Sequence, residues 1–205
     1  MAGAACTPST WVTCSRKCST CSAPIRAYAG EVGTMSAVIK PGGAAAREQA
    51  IRALLAEVAD PEIPVLSIVD LGIVRHVRFE ADGRLHVGIT PTYSGCPATE
   101  VIRTAVRTAL DAAGLADAVL EEVLSPPWTS EWLTSAAHAK LEACGIAPPQ
   151  EPVSSPRRLW NAPLVPCPRC GSRTTERVSE FGSTPCKAHY RCSACREPFD
   201  YFKCL

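Results

Sequence analysis

The sequence predicts an α+β fold, in which a small two-layer α/β sandwich of order α-β-β-α-β-α is followed by a C-terminal β-ribbon. Three observations lead to this prediction. Apolar spacing between positions 45 and 146 alternates between helical and strand periods, six prolines lie within residues 146–166, and two Cys-x-x-Cys pairs follow. We therefore divide the chain into an extension, an α+β domain, a proline-rich linker and a zinc ribbon, at residues 1–44, 45–146, 147–163 and 164–205.

The first half of the sandwich is a helix followed by a β-hairpin. The helical face recurs at i, i+3, i+4 and i+7, and Asp60-Pro61 ends the helix. Its residues are Ile51, Leu54, Leu55 and Val58. Alternating apolar residues then predict two strands joined by a turn at residues 81–83. They are Ile73, Val77 and Phe79 on the first strand and Leu85, Val87 and Ile89 on the second.

The second half is a helix, a strand and a last helix. Pro97 suits the first position of the first of these helices, and Gly114 suits its end. Its apolar rows are Val101, Ile102, Ala105, Val106, Ala109 and Leu110. Residues 118–124 predict the third strand, and residues 125–129 initiate a helix that closes at Gly145. That helix carries Trp132, Leu133, Ala136, Ala137 and Leu141.

The two Cys-x-x-Cys pairs predict a structural zinc site. Each pair places two thiolates on one tight turn, and a hairpin between the pairs brings four sulfurs into the tetrahedron that Zn²⁺ accepts. Gly171 suits the sharp turn after the second cysteine. The predicted ligands are Cys167, Cys170, Cys192 and Cys195. Similar pairs also hold iron in rubredoxin-like sites, so iron stays open as the alternative metal.

The 12 cysteines of the chain are also compatible with a secreted, disulfide-bonded scaffold. However, the N-terminus has no apolar run of signal-peptide length, and no segment approaches the length of a membrane span. We therefore expect a cytoplasmic protein without membrane association, which uses the paired cysteines for metal binding. Cys186 and Cys204 are interpreted as non-ligand thiols near that metal, and Cys144 as a core residue.

Residues 1–46 show no helical or strand period. Cys14, Cys18 and Cys21 have the spacing by which radical-SAM enzymes hold a four-iron cluster, but such enzymes need a large barrel for which this chain has no room. Because Met35 begins a segment that reads like an ordinary protein start, residues 1–34 are interpreted as a disordered or mis-started extension.

Cys96 is the strongest candidate for chemistry outside the ribbon. It precedes Pro97 at the start of a helix, where unpaired N–H groups and the helix dipole favour a thiolate. The alternative is a small buried hydrophobe. Asp60, Glu62 and Asp70 are candidate supporting acids, as iron ligands or as groups that orient a thiol. Their alternative role is to cap turns and helix ends.

Other function classes find less support in the sequence. Residues 157–205 carry nine basic and four acidic residues, a formal charge of +5, and a zinc-ribbon adaptor for nucleic acid is the alternative function. The basic residues are scattered and few aromatics interleave with them, so nucleic-acid binding is not favoured. The chain lacks a phosphate-binding loop, a Ser-His-Asp signature and the Glu-x-x-His pairs of a di-iron oxygenase, and is not expected to be catalytic alone. His76 and His86 lie on facing strands of the predicted hairpin, where they can be neighbours, and they are interpreted as surface or packed histidines.

Several motifs resemble known families. Asp-Pro-Glu-Ile-Pro at 60–64, Ser-Ile-Val-Asp-Leu-Gly-Ile-Val at 67–74 and Thr-Pro-Thr-Tyr-Ser-Gly-Cys-Pro at 90–97 resemble the Fe–S cluster assembly domain of SufT and of the eukaryotic cytosolic Fe–S targeting factors. The stretch 125–132 and the ribbon ending at Cys204 narrow the resemblance to the PaaD family of the bacterial phenylacetyl-CoA epoxidase system. The resemblance covers about residues 45–205.

The resemblance implies an accessory role in aerobic phenylacetate catabolism. Members of this family are expected to help mature metal centres of the epoxidase, in particular the Fe–S cluster of its reductase. The implied partners are the reductase and oxygenase subunits, and the implied cargo is a transient iron ion or Fe–S cluster. The family's cysteine corresponds to Cys96 and its acidic loop position to Glu62. The alternative is an adaptor that scaffolds the oxygenase complex without metal transfer.

Overall fold

The computed structural model describes residues 43–150 and 164–203, and it confirms the predicted α+β fold with a C-terminal ribbon. The helices and strands follow the predicted order through the first domain. They are α1 (Ala44–Leu55), β1 (Val74–Phe79), β2 (Leu85–Ile89), α2 (Ala98–Ala112), β3 (Val119–Glu122), a 3-10 helix (Ser130–Trp132), α3 (Ser135–Ala143), β4 (Ile146–Ala147), β5 (Thr175–Ser179), β6 (Lys187–Cys192) and β7 (Pro198–Phe202).

The first sheet has the order β1-β2-β3. β1 and β2 form the predicted antiparallel hairpin, whereas β3 pairs parallel to β2 because α2 carries the chain back across the sheet. α1 and α2 pack on the sheet with apolar side chains spaced three and four apart. Those fully enclosed include Ile51, Leu55, Val106 and Leu110, which share one core with Val87 of the sheet.

The helix boundaries and one helix face differ from the sequence predictions. α1 ends at Leu55, before Asp60-Pro61, and buried Val58 follows it in a turn. Val101 is 55% exposed and does not belong to the buried row of α2. The last helix begins only at Ser135, because the Thr134 hydroxyl accepts a hydrogen bond from Ala137 N at 3.1 Å and caps it there. Trp132 and Leu133 therefore precede α3.

The prediction that Cys144 is a core residue is wrong. Cys144 is exposed to solvent and stands at the C-terminal cap of α3, just beyond its last turn. The buried face of that helix is formed by Ala137 and Leu141, which lie four positions apart. Cys144 follows Leu141 by three positions, but the helix has already ended there, so its side chain does not continue that face.

The second sheet has the order β4-β7-β6-β5. Its strand β4 follows shortly after α3 and pairs parallel to β7, so the end of the α+β domain contributes to the ribbon sheet. Phe202, at the end of β7, packs against Trp128 with ring centroids 6.3 Å apart. The sequence predicts two independent parts, but the structure joins them through this shared core.

Some expectations fall on residues outside the described ranges 43–150 and 164–203. These are the extension at residues 1–34, most of the predicted linker, and Cys204. Within the described ranges, none of the helices is long and apolar enough to cross a membrane.

Candidate metal centres

The four paired cysteines converge at one end of the ribbon. Their Sγ atoms all lie within 4.8 Å of one another, with Cys167 and Cys195 3.7 Å apart and Cys170 and Cys192 3.6 Å apart. A tetrahedral site with Zn–S bonds of about 2.3 Å has sulfur–sulfur edges of about 3.8 Å. The donor set and its spacing therefore fit a four-coordinate thiolate metal ion.

The backbone turns sharply after each cysteine pair. Gly171 has φ +71°, as the predicted knuckle requires, and its N–H donates to the Cys167 carbonyl at 2.9 Å. Arg196 occupies the corresponding position after Cys195 and has φ +63°, although it is not a glycine. An ion pair between Arg169 and Glu197, at 2.7 Å, bridges the two turns.

Backbone N–H groups near these thiols favour the ionised form of Cys192. The Cys195 N–H, whose nitrogen lies 3.5 Å from the Cys192 sulfur, is the main cause that lowers the pKa of Cys192 to about 6. Burial instead raises the pKa of Cys167. A metal ion would replace the thiol protons here and compensate the charge of the four thiolates.

Cys96 lies where the sequence predicts, at the start of α2. Its carbonyl accepts a hydrogen bond from Thr99 N at 3.2 Å, and Pro97 has helical dihedral angles although α2 is counted from Ala98. The side chain is half-buried and packs against the core of the α+β domain. This thiol is therefore partly accessible to solvent and held at a fixed place in the fold.

Asp60 shapes the loop that carries Glu62. Its Oδ1 accepts hydrogen bonds from Glu62 N at 2.8 Å and Ile63 N at 2.7 Å, and the carboxylate is buried. Burial raises the pKa of Asp60, against the effect of these N–H donors and of Lys187. Its oxygens thus organise the loop, whereas Glu62 stays partly exposed and contacts the ribbon.

Asp70 has a structural role. Its Oδ2 accepts a hydrogen bond from Ser67 N at 3.0 Å and pairs with Lys140 Nζ of α3 at 2.5 Å. Burial opposes ionisation, but the hydrogen bonds from Lys140 and Ser67 outweigh it and hold the pKa of Asp70 below its usual value. Asp70 therefore pairs with Lys140 and Ser67 inside the α+β domain, whereas Glu62 contacts Cys186 of the ribbon.

Cys186 lies outside the four-sulfur group, and its surroundings were not foreseen from the sequence. It is 4% exposed and belongs to the core of the α+β domain. Its sulfur lies 3.5 Å from Glu62 Oε2 and 3.0 Å from Thr184 Oγ1. Burial, with a contribution from Glu62, raises the pKa of Cys186 to about 11.

Tyr93 lies three positions before Cys96, and its carbonyl accepts a hydrogen bond from Cys96 N at 3.2 Å. Its hydroxyl oxygen is shielded from solvent and has no well-formed hydrogen bond to a described residue. Burial raises the pKa of Tyr93 to about 12, and Cys96, Glu62 and Cys186 add to the effect.

The two strand histidines are neighbours through a shared acid. His76 Nε2 lies 2.9 Å and His86 Nδ1 2.5 Å from the two carboxylate oxygens of Glu121 on β3. Arg78 also pairs with this carboxylate, at 3.0 Å. The hydrogen bond with His86 is the main cause that lowers the pKa of Glu121. His76, His86 and Arg78 therefore pair with one carboxylate on the surface of the first sheet.

Two family models match the chain. The model described as "Iron-sulfur cluster assembly protein" matches residues 48–121, and the model described as "PaaD zinc beta ribbon domain" matches residues 151–203. The chain is 50% identical over 155 residues to a protein of Escherichia coli that is named as a component of 1,2-phenylacetyl-CoA epoxidase, covering 76% of this chain and 92% of that protein. The chain belongs to the PaaD family.

Other similar proteins match about half of this chain. The Fe-S protein maturation auxiliary factor YitW of Bacillus subtilis is 36% identical over 97 residues, which are 47% of this chain and 94% of that protein. A solved domain of unknown function from Bacillus anthracis is 29% identical and covers 48% of this chain and 93% of that chain, with a TM-score of 0.44. Each of these two matches covers about half of the PaaD-family chain.

Proposed function

We propose that this protein is an accessory maturation factor of a phenylacetyl-CoA epoxidase, which helps to assemble an Fe–S cluster or iron centre in the reductase or oxygenase. The relative from Escherichia coli is named as a component of that epoxidase, and the relative from Bacillus subtilis is named as an Fe–S maturation factor. These two names agree with a single function, in which this protein matures the metal centres of the epoxidase with which it works.

The observation that carries this proposal is the placement of Cys96. A thiol that transfers iron must be fixed by the fold and still reachable by a client. Cys96 meets both conditions, because it is held at the start of α2 and is only half-buried. Glu62 adds a partly exposed carboxylate, and thiolate with carboxylate is a donor set that binds iron without enclosing it.

The ribbon has a different role in this proposal. Its four sulfurs form a closed set that leaves no coordination position for a substrate, which is typical of structural zinc. Zinc there would fix the two knuckles and the sheet behind them. The ribbon surface then serves to dock the client proteins, and the protein is not catalytic alone.

A nucleic-acid adaptor is less well supported by the described residues. Three basic side chains of the ribbon are paired with acids: Arg169 with Glu197, Arg177 with Glu180 and Lys187 with Asp200. These pairs reduce the positive charge that is available for phosphate groups. The alternative is a scaffold that assembles the epoxidase without metal transfer. The cluster content of the reductase distinguishes such a scaffold from a maturation factor.

The test is the cluster content of the reductase matured in cells that contain this protein or its Cys96→Ser variant. We expect iron and acid-labile sulfide per reductase to fall with Cys96→Ser, because the transient ligand is lost. Cys144→Ser is the matched control, since Cys144 is an exposed thiol at the end of α3. Full cluster content with Cys96→Ser, together with loss of complex assembly when the protein is absent, would instead establish the scaffold.

A further inference from the structure

Arg75 has an enclosed donor that the fold leaves unpaired. Its Nε is shielded from solvent without a hydrogen-bond partner, and its guanidinium forms no ion pair with any residue that the structure describes. Within residues 43–150 and 164–203, only Tyr93 has another side-chain nitrogen or oxygen in this condition. Enclosing a donor without a partner is unfavourable, so each such group in a folded protein calls for an explanation.

The Arg75 guanidinium is stacked on an aromatic ring. Its central carbon lies 3.5 Å from the centre of the Trp132 ring, so the indole covers one face of the guanidinium. Both residues are half-buried. Stacking occupies the face of a guanidinium and leaves its edge, and the N–H groups along that edge form a fork that matches the two oxygens of a carboxylate.

The fold holds Trp132 in this place. An added Cβ at Gly72 would lie 2.8 Å from the Trp132 Cβ, so this tryptophan packs directly on the glycine. Four positions earlier in the chain, the Trp128 indole N–H donates to the Leu71 carbonyl at 2.8 Å. The segment that carries Trp132 is thus fixed to the residues just before β1, and the stacked arginine is preorganised for a ligand.

The stacked pair lies at the end of the sheet from which the Cys96 loop leaves. β1 begins at Val74, which pairs with Ile89, the last residue of β2. Arg75 follows Val74, and the chain runs from Ile89 into the loop that leads to Cys96. A group that binds Arg75 is therefore held at the end of the first sheet where this loop begins.

We propose that the Arg75–Trp132 pair is a docking point for a carboxylate side chain of the client protein. This inference rests on the proposed function, because it takes a client that comes to Cys96. The guanidinium edge donates two N–H groups to one Asp or Glu side chain of the client, and the exposed part of the indole adds apolar contact beside it. Arginine and tryptophan are among the residues that most often dominate the binding energy of protein interfaces.

The test is binding of the full-length, metal-loaded protein to purified epoxidase reductase and, separately, to the oxygenase, measured by titration calorimetry. We expect Arg75→Ala and Arg75→Lys each to raise the dissociation constant about tenfold or more, because lysine keeps the charge but lacks the fork. Arg84→Ala is the matched control. Arg84 is exposed at the turn between β1 and β2, at the other end of the hairpin, and its loss should change the dissociation constant less than about twofold.

The outcomes separate this inference from the proposed function. Unchanged binding of Arg75→Lys overturns the docking point, while reductase cluster content with Cys96→Ser still decides the proposed function. If neither the reductase nor the oxygenase binds the natural protein, both fail. Because Arg75→Ala can destabilise the fold, the Nε–H resonance of Arg75 in the natural protein provides a second measurement. A shift on addition of the client supports the docking point, whereas no shift, or a shift with inorganic phosphate alone, overturns it.

Discussion

The Cys186 sulfur lies 3.5 Å from Glu62 Oε2, although 124 positions separate the two residues in the chain. This contact places the ribbon directly on the loop that carries Glu62. It also sets Cys186 next to β6, whose other end is Cys192 of the four-sulfur group. The contact with Glu62 and the four-sulfur group therefore lie at opposite ends of one strand.

Removal of the ribbon metal should destabilise the ribbon sheet. Cys170→Ser opens the four-sulfur group, and we expect this variant to lose the bound metal and the hydrogen-exchange protection of β5, β6 and β7. Metal content and exchange protection are measured on the same sample, with Cys144→Ser as the control. Unchanged exchange protection in the metal-free variant would contradict a structural role for the four-sulfur group.

Phe202 should contribute more to stability than an exposed ribbon aromatic. It is 1% exposed and packs edge-on against Trp128, so Phe202→Ala leaves a cavity in the shared core. We expect a loss of about 3–5 kcal/mol in the free energy of unfolding. Phe181, 62% exposed, is the matched control, and Phe181→Ala should cost less than about 1 kcal/mol. The free energy of unfolding is measured by urea denaturation. Equally small losses for Phe202→Ala and Phe181→Ala would mean that Phe202 does not anchor the ribbon on the α+β domain.

Gly72 should tolerate no side chain. It has φ +67°, and an added Cβ would lie 2.7 Å from the Trp132 carbonyl oxygen. We expect Gly72→Ala to lower the free energy of unfolding by more than about 2 kcal/mol. Gly83 has φ +85° with open space around it, so Gly83→Ala should cost only the backbone strain, about 1 kcal/mol. Equal losses for the two variants would contradict the close packing of Trp132 on Gly72.

The Asp70–Lys140 pair should make stability depend on pH in the acid range. The pKa of Asp70 is lowered in the folded protein, so its charge stabilises the fold above the ordinary value of 3.8, and this contribution is lost as pH falls through the folded-state pKa. We expect Asp70→Asn to cost about 1–3 kcal/mol at neutral pH. The gap between the two proteins should narrow below about pH 4. Acid also protonates the four ribbon thiolates in both proteins, so the two proteins are compared at each pH. A gap that does not change with pH would contradict the charged role.

Features set by nearby residues were predictable from the sequence. The hairpin of β1 and β2, the buried row of α2 and the four-sulfur group each depend on spacing within a few residues. Gly114 and Gly145 also have the positive φ values expected at the ends of α2 and α3. Local spacing defines such features because side chains three or four apart share a helix face, and alternate residues share a sheet face.

Features set by long-range packing were not predictable in the same way. No local pattern distinguishes Cys186 from a ribbon thiol, and its position next to Glu62 follows only from β4 pairing with β7 and Phe202 entering the first core. Val101 has the spacing of a buried residue but is exposed on the folded domain. The start of α3 depends on Thr134 capping rather than on the apolar pattern before it.

The most direct test of the account is transfer of isotopically labelled iron to purified, cluster-free epoxidase reductase under anaerobic conditions with sulfide supplied. The protein is loaded with labelled Fe(II) at a fixed zinc content, mixed with the reductase, and separated from it. We expect the label to move to the reductase and its cluster absorption to return, and Cys96→Ser neither to hold nor to pass the label. Equal recovery with Cys96→Ser, or label that stays on the natural protein, would contradict a maturation role for this thiol.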